Sequence, residues 1–439
     1  MLQANVKIIA ELKGFVQYVF SNKDVLSQFS HSPNDFSRTR KLPFSNLVLL
    51  ILKLCKKTLS IELEKFFDEM GIAMPCSVSA FTQQRHKLNA LFFYYWNLVL
   101  WLCFYRYYAG DVKRWRGYRL IGMDGSTVSL VNNKALSSYF GGQSNQHGSF
   151  ICGQTFYCYD ILNELVLYSR ITPYRVGELK IAWDLIDQLN ADMLVIYDRN
   201  FCNYKTVALH MWQQKEIKFV IRAKENLGVI KEFIASGKCS SLVKLQPGKT
   251  AIKGMRTSGY IINEDSALTV RLVRVDLDGS VEVLMTNLWE EQGYKTLEIK
   301  DLYFKRWAIE TAIGFQKNVL QMESFSGLTV HAVMQDFYAT SFMANLHSIL
   351  IKSAQKKLDR CKNRKYPLKV NKNKSYAKLK SQMIPLFLSH EPLRILKTFQ
   401  SIFLTDPVPV RKGRSFKRKR KNPQSRSKYK TYTNFKPAY

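Results

Sequence analysis

Acidic residues are scarce in this chain of 439 residues: 34 Asp and Glu stand against 66 Lys and Arg, a net charge of +32. That imbalance implies a polyanionic partner. Eight cysteines are scattered without a CxxC pair or a neighbouring pair of histidines, which argues against zinc and for reduced, structural thiols. No apolar run is long enough for a membrane. The best, Ala90 to Tyr105, is broken by Asn97 and as a helix reaches about 24 Å, short of the ~30 Å hydrocarbon core, so it reads as a buried helix. The opening MLQANVKIIAELKGF lacks the apolar core and cleavage site of a secretory signal, so a cytoplasmic chain is expected. A GxxxxGK[ST] loop is absent, as is an HxxR string, and no repeat of 20 to 50 residues is visible.

The charge that is present is unevenly placed. Residues 351–439 carry 26 Lys and Arg and three acids, so +23 of the +32 lies there. From Arg411 to Tyr439 there are 12 basic residues and no acid, including the run Lys417 to Lys421, a composition that stays disordered until phosphate is near. A nucleic-acid arm, a solubilising tail and a contact for anionic lipid all fit that stretch.

The remainder divides by pattern. Residues 1–117 read as helical, with Ser60 and Ser79 as caps of a loose helix-turn-helix whose second helix carries Gln83, Gln84, Arg85 and Lys87. Residues 118–227 read as three strands, then helix, strand, helix, strand. Residues 228–290 read as a strand-rich insert, with AIKGMRTSGYII among its strands. Helical periodicity returns over 291–350, and 351–439 form a basic C-terminal region with a disordered tail from about 411.

Three carboxylates sit where a scaffold can hold them. Asp124 follows the apolar run Leu120 to Met123, Asp198 follows Leu194 to Tyr197, and Glu310 lies within a helical stretch over 297–320. Singly, they read equally well as a turn, a helix cap and a surface acid. Converging at a sheet edge, they would repel unless divalent cations lay between them. At 100° per residue, Tyr303, Arg306, Glu310 and Lys317 fall within about 60° of arc, opposite an apolar stripe of Phe304, Ala308, Ala312, Phe315 and Val319. An Arg306 to Glu310 ion pair on an exposed face is the plainer account of the same pattern.

The spacing Tyr-x2-Arg-x3-Glu-x6-Lys in LYFKRWAIETAIGFQK, with MDGST around Asp124 and YDRNF around Asp198, resembles the insertion-sequence-four family of DDE transposases. The resemblance implies an α/β fold: a ribonuclease H-like catalytic core interrupted by a strand-rich insert, with a helical N-terminal DNA-binding domain. It implies an enzyme that binds terminal inverted repeats and performs cut-and-paste cleavage and strand transfer. Asp124, Asp198 and Glu310 would hold two Mg²⁺ ions, Mn²⁺ substituting, for two-metal phosphoryl transfer on double-stranded DNA. Tyr303, Arg306 and Lys317 would bind DNA, Trp289 or Trp307 would stack a flipped base, and a homodimer would assemble on the ends. The rival reading is a transposase-derived DNA-binding protein without catalysis.

Overall fold

The computed structural model describes residues 1–38, 41–53, 57–73, 76–145, 148–212, 216–277, 279–361 and 364–411. Six helices open the chain: α1 (Leu2–Ser21), α2 (Lys23–Gln28), α3 (Phe44–Lys53), α4 (Leu59–Glu69), α5 (Val78–His86) and α6 (Leu91–Tyr107). Helix α6 is the long aromatic run. It packs between α1 and α14 (Val330–Asp359), with Trp96 stacked on Phe342 at 4.3 Å between ring centroids. Asn97, which interrupts the run, is buried because its amide donates to the Val166 carbonyl and its oxygen accepts from Asn345 at 2.7 Å. No helix among the described residues is long and apolar enough to cross a membrane.

The helix-turn-helix expectation needs correction. Thr58 precedes α4 and Ser77 caps α5 through the Ala80 amide, in place of Ser60 and Ser79. Arg85 and Gln84 are buried, so Arg85 is unavailable to read bases: its guanidinium is bound to Asp336 at 2.7 Å inside the protein.

After α6 the chain builds a nine-stranded sheet from β1 (Arg119–Ser129), β2 (Gly142–Asn145), β3 (Gly148–Asp160), β4 (Leu165–Pro173), β5 (Met193–Tyr197), β6 (Lys218–Arg222), β7 (Ser240–Leu245), β8 (Leu268–Leu277) and β9 (Ser280–Thr286). Strands β1, β5 and β6 are parallel neighbours. Strand β3 runs antiparallel beside β1 and pairs with both β2 and β4. All five residues of β5 are buried, as an apolar run at the centre of a covered sheet must be. Helices α7 (Lys134–Phe140), α8 (Glu178–Ile186), α9 (Tyr204–Met211), α10 (Gly228–Ala235) and α11 (Lys249–Thr257) connect these strands.

The segment read as an insert continues the same sheet, since β9 pairs antiparallel with β6 and is followed outward by β8 and β7. Within it, AIKGMRTSGYII is mostly helix α11, with Ile252 and Met255 buried at helical spacing, in place of the expected strand. Arg271, buried in β8, donates to the carbonyls of Leu288 and Tyr294 and so fixes the exit from this segment.

The expected single helix over 297–320 is two: α12 (Thr296–Phe304) and α13 (Trp307–Asn318), broken at Lys305 and Arg306. Phe304 is consequently exposed, and α13 buries Ile309, Ile313 and Gln316. The long α14 follows. Beyond it lie β10 (Leu368–Lys369), α15 (Lys372–Ser381), α16 (Met383–Leu388), α17 (Pro392–Leu404) and β11 (Val408–Pro409), with α17 packed on α1 and α14. The arm from residue 412 onward, with its expected disorder, lies outside the described residues.

Candidate active site

Gly122 and Ile196 are the last paired residues of the parallel strands β1 and β5, so Asp124 and Asp198, each two positions on, lie side by side at the carboxyl end of the sheet. The backbone holds both acids. Asp124 Oδ1 accepts from the Gly125 amide at 2.9 Å, and Asp198 Oδ1 accepts from the Asn200 amide at 2.8 Å, capping the short turn Arg199–Phe201.

A fourth acid enters this space. Glu178, in the first turn of α8, accepts through Oε1 from the Asn200 side-chain amide, and its Oε2 lies where a side chain on Gly125 would begin. Only glycine fits there. Burial pushes the Asp124 carboxyl up to about 7, and the neighbouring charges of Asp198 and Glu178 add to the rise while Arg306 opposes it. Glu178 is also raised, by burial first and then by Asp198, against the Asn200 hydrogen bond. Such crowding of acids marks a site short of positive charge.

Glu310 reaches the same place from the first turn of α13. Arg306 donates through Nη2 to Glu310 Oε1 at 2.7 Å, and its Nη1 lies 3.9 Å from Asp124 Oδ2, so one guanidinium links the first and third acids. Its Nε is buried without a partner. The rings of Trp307 and Tyr303 lie 5.4 and 5.9 Å from this guanidinium.

The remaining candidates are less uniform than one helical face would make them. Tyr303 is buried on α12, its hydroxyl pushed up to about 12 by burial, whereas Trp307 is half exposed. Lys317 donates to the Thr127 carbonyl, three residues past Asp124, and lies 4.0 Å from Glu323. Trp289 precedes the short turn Glu290–Gln292 at the exit from the insert.

The sequence reading missed Glu178, Asn200 and Gly125. The only available signal was an acid opening a helix directly after a strand of the core. As the side chains stand, no three His, Cys, Asp or Glu among the described residues converge closely enough to hold a metal ion. The donor set nevertheless fits hard divalent cations. Asp124 and Asp198 abut, both offer oxygen, and Glu310 has only to exchange Arg306 for a metal to join them.

Residues 115–346 match the family model for the transposase DDE domain. Among solved structures, the cryo-EM structure of the piggyBac transposase synaptic complex with hairpin DNA aligns over 94% of this chain and 86% of that one, at 11% identity and a TM-score of 0.41. No curated protein matches the sequence. With just over half of its residues inside the DDE domain, this chain belongs to the DDE transposases, a family of DNA-cleaving enzymes.

Proposed function

We propose that the protein is the transposase of an insertion sequence of the insertion-sequence-four type, binding terminal inverted repeats and cutting and rejoining DNA at them. The observation that carries this reading is the side-by-side pair Asp124 and Asp198, joined to Glu310 through a single arginine. The strand order β4-β3-β1-β5-β6, in which β3 alone runs against the other four, agrees with a ribonuclease H-like core over 118–227 and 291–350, with 228–290 as its insert.

Asp124, Asp198 and Glu310 would hold two Mg²⁺ ions, or Mn²⁺ in their place, which when bound stabilise the attacking and leaving oxygens of an in-line phosphoryl displacement. Arg306, released from Glu310, would turn its forked guanidinium to a DNA phosphate. Lys317 anchors the strand beyond Asp124 and adds a point charge beside it. Tyr303, neutral throughout the physiological range, donates its hydroxyl, and exposed Trp307 offers a flat surface for an unstacked base, with Trp289 the alternative. Helical residues 1–117 and the basic residues 351–439 would hold the flanking double-stranded DNA, as a homodimer on paired ends in the cytoplasm.

A second reading, a transposase-derived DNA-binding protein without catalysis, draws on the Arg306–Glu310 pair, which engages the third acid. Incubating purified protein with DNA bearing its element's own ends, with Mg²⁺ or with EDTA, separates the two. Mg²⁺-dependent nicking that Asp124→Ala, Asp198→Ala and Glu310→Ala each abolish, with end binding kept, supports the transposase. Binding without cleavage under any metal supports the second reading.

A further inference from the structure

Helices α8 and α13 cover opposite faces of the sheet. Residues three apart on a strand point to opposite sides: a side chain on Gly122 would meet Ile309 of α13 at 3.2 Å, whereas one on Gly125 would meet Glu178 of α8. On the α8 side, between α8 and α9 and the segment 228–290, lies a cleft of about 860 Å³.

The cleft begins beside the acids. Leu179, which follows Glu178, lines it, as does Cys202, which closes the turn that Asp198 opens. Its far wall is α11, tied across to α9 by Lys205, whose Nζ donates to Ser258 Oγ at 3.1 Å. Leu245, Met255 and Met285 make it largely apolar. Trp183 also lines it and is fixed in orientation, because its Nε1 donates to Thr206 Oγ1 at 2.9 Å and Lys205 Nζ stands 4.5 Å from its ring centroid.

Charge decides what such a space takes. Lys180, Lys205 and Lys224 line it against one acid, Asp184, and among the described residues neither Lys180 nor Lys224 is engaged in an ion pair. The volume falls within the range of about 300–1,000 Å³ that small-ligand sites occupy, so a duplex does not enter. Aromatic and apolar surface framed by lysines is how proteins hold unpaired nucleic acid, bases on the rings and phosphates on the cations. In-line displacement also sets the attacking and leaving oxygens on opposite sides of the phosphorus, so a strand engaged near Arg306 and Trp307 departs from the acids on another side.

We infer that this cleft binds the unpaired end of a DNA strand as it leaves the acidic cluster, with bases against Trp183 and Met255 and phosphates on Lys180 and Lys224. The identity of the strand rests on the transposase reading, which supplies the cut; the binding itself requires neither metal nor cleavage.

The test is photo-crosslinking, in EDTA, of full-length protein to a single-stranded oligodeoxynucleotide of roughly six nucleotides carrying 4-thiothymidine, with the attached peptides mapped by mass spectrometry. Wild type is compared with Lys224→Ala and Gly254→Leu. Gly254 faces the cleft from α11 and nothing lies within 4 Å of where its side chain would begin, so leucine occupies the cleft without displacing a neighbour and favours the helix. Crosslinks are expected at Trp183 and on α11, with yields there falling about fivefold or more in both variants. Crosslinks confined to other parts of the protein, or cleft yields unchanged by Gly254→Leu, would overturn the assignment. Cleavage of the element's ends with Mg²⁺ but no crosslinking in the cleft removes the cleft alone, whereas crosslinking there without cleavage under any metal removes the transposase reading and keeps the cleft as a site for unpaired DNA.

Discussion

Arg85 and Arg306 are both enclosed guanidiniums facing carboxylates, and their surroundings differ in one respect. Arg85 donates from Nε to Gln335 at 2.6 Å, from Nη1 to Ser326 at 2.7 Å, and from Nη2 to the Ala332 carbonyl at 2.9 Å and Asp336 at 2.7 Å. Asp336 in turn accepts from the Ser326 amide and hydroxyl. Arg306 makes one short bond, to Glu310, stands 3.9 Å from Asp124, and leaves Nε buried and unpaired while Asp198 and Glu178 crowd the same space. A network with every group satisfied fixes a structure; one with an orphan donor and surplus acid keeps bonding capacity for a ligand.

Removing a carboxylate from each cluster in turn should give the largest contrast. Asp124→Ala or Asp198→Ala is expected to lower end cleavage by about 10³-fold or more with the melting temperature unchanged or raised, whereas Asp336→Ala should lower the melting temperature sharply. Cleavage surviving in either catalytic variant removes that residue from the site.

Next in size is stability in urea. Arg85→Ala should cost about 3–5 kcal/mol, because it strands buried Asp336. Arg306→Ala should cost less than half as much, since it also leaves acids that metal can satisfy. Arg306→Lys should retain stability and lose cleavage, because an ammonium does not replace a fork. Equal costs at the two arginines would erase the distinction.

Acidity gives a smaller effect with a definite sign. A carboxyl raised to about 7 keeps its proton where the unfolded chain has lost it, so Asp124 makes the metal-free protein less stable as pH rises from about 4 through 7. Asp124→Asn should remove that fall, about 1–3 kcal/mol at pH 8 in calorimetric scans. Buried His210 and His347, both held down to about 3 by burial, act oppositely: their contribution is present above about 6.5 and lost as pH falls toward 3.

The mildest change is Glu178→Gln, which keeps the bond from Asn200 and removes a charge. It should shift the Asp124 stability loss to higher stability at pH 8 while changing cleavage by less than about tenfold. A complete loss of cleavage would move Glu178 into the set of essential acids.

The core strands were legible because their signal is local. The apolar run of β5 and the alternation in β3 and β4 need no knowledge of distant residues, and those elements stand where the pattern put them. Helix α11 was misread because β-branched and aromatic residues after Gly259 resemble a strand, while its buried face is only Ile252 and Met255. Neither proline nor glycine marks the break between α12 and α13. It occurs where Arg306 turns toward Asp124, a tertiary event. Arg85 read as a base-reading side chain because Asp336, 251 positions away, is invisible to periodicity. Glu178 was hidden for a similar reason: its approach depends on the missing side chain of Gly125, on another strand.

The chain leaves the central strands after β6 and returns beside them at β9, where Val220 pairs with Thr286 and the Ala223 amide donates to the Val283 carbonyl at 2.8 Å. The two ends of the intervening stretch are thus clamped to each other before α12 begins. Its length can drift through evolution without displacing the helix that carries Glu310, and a foreign module spliced near the fully exposed Ile261 would leave that clamp intact.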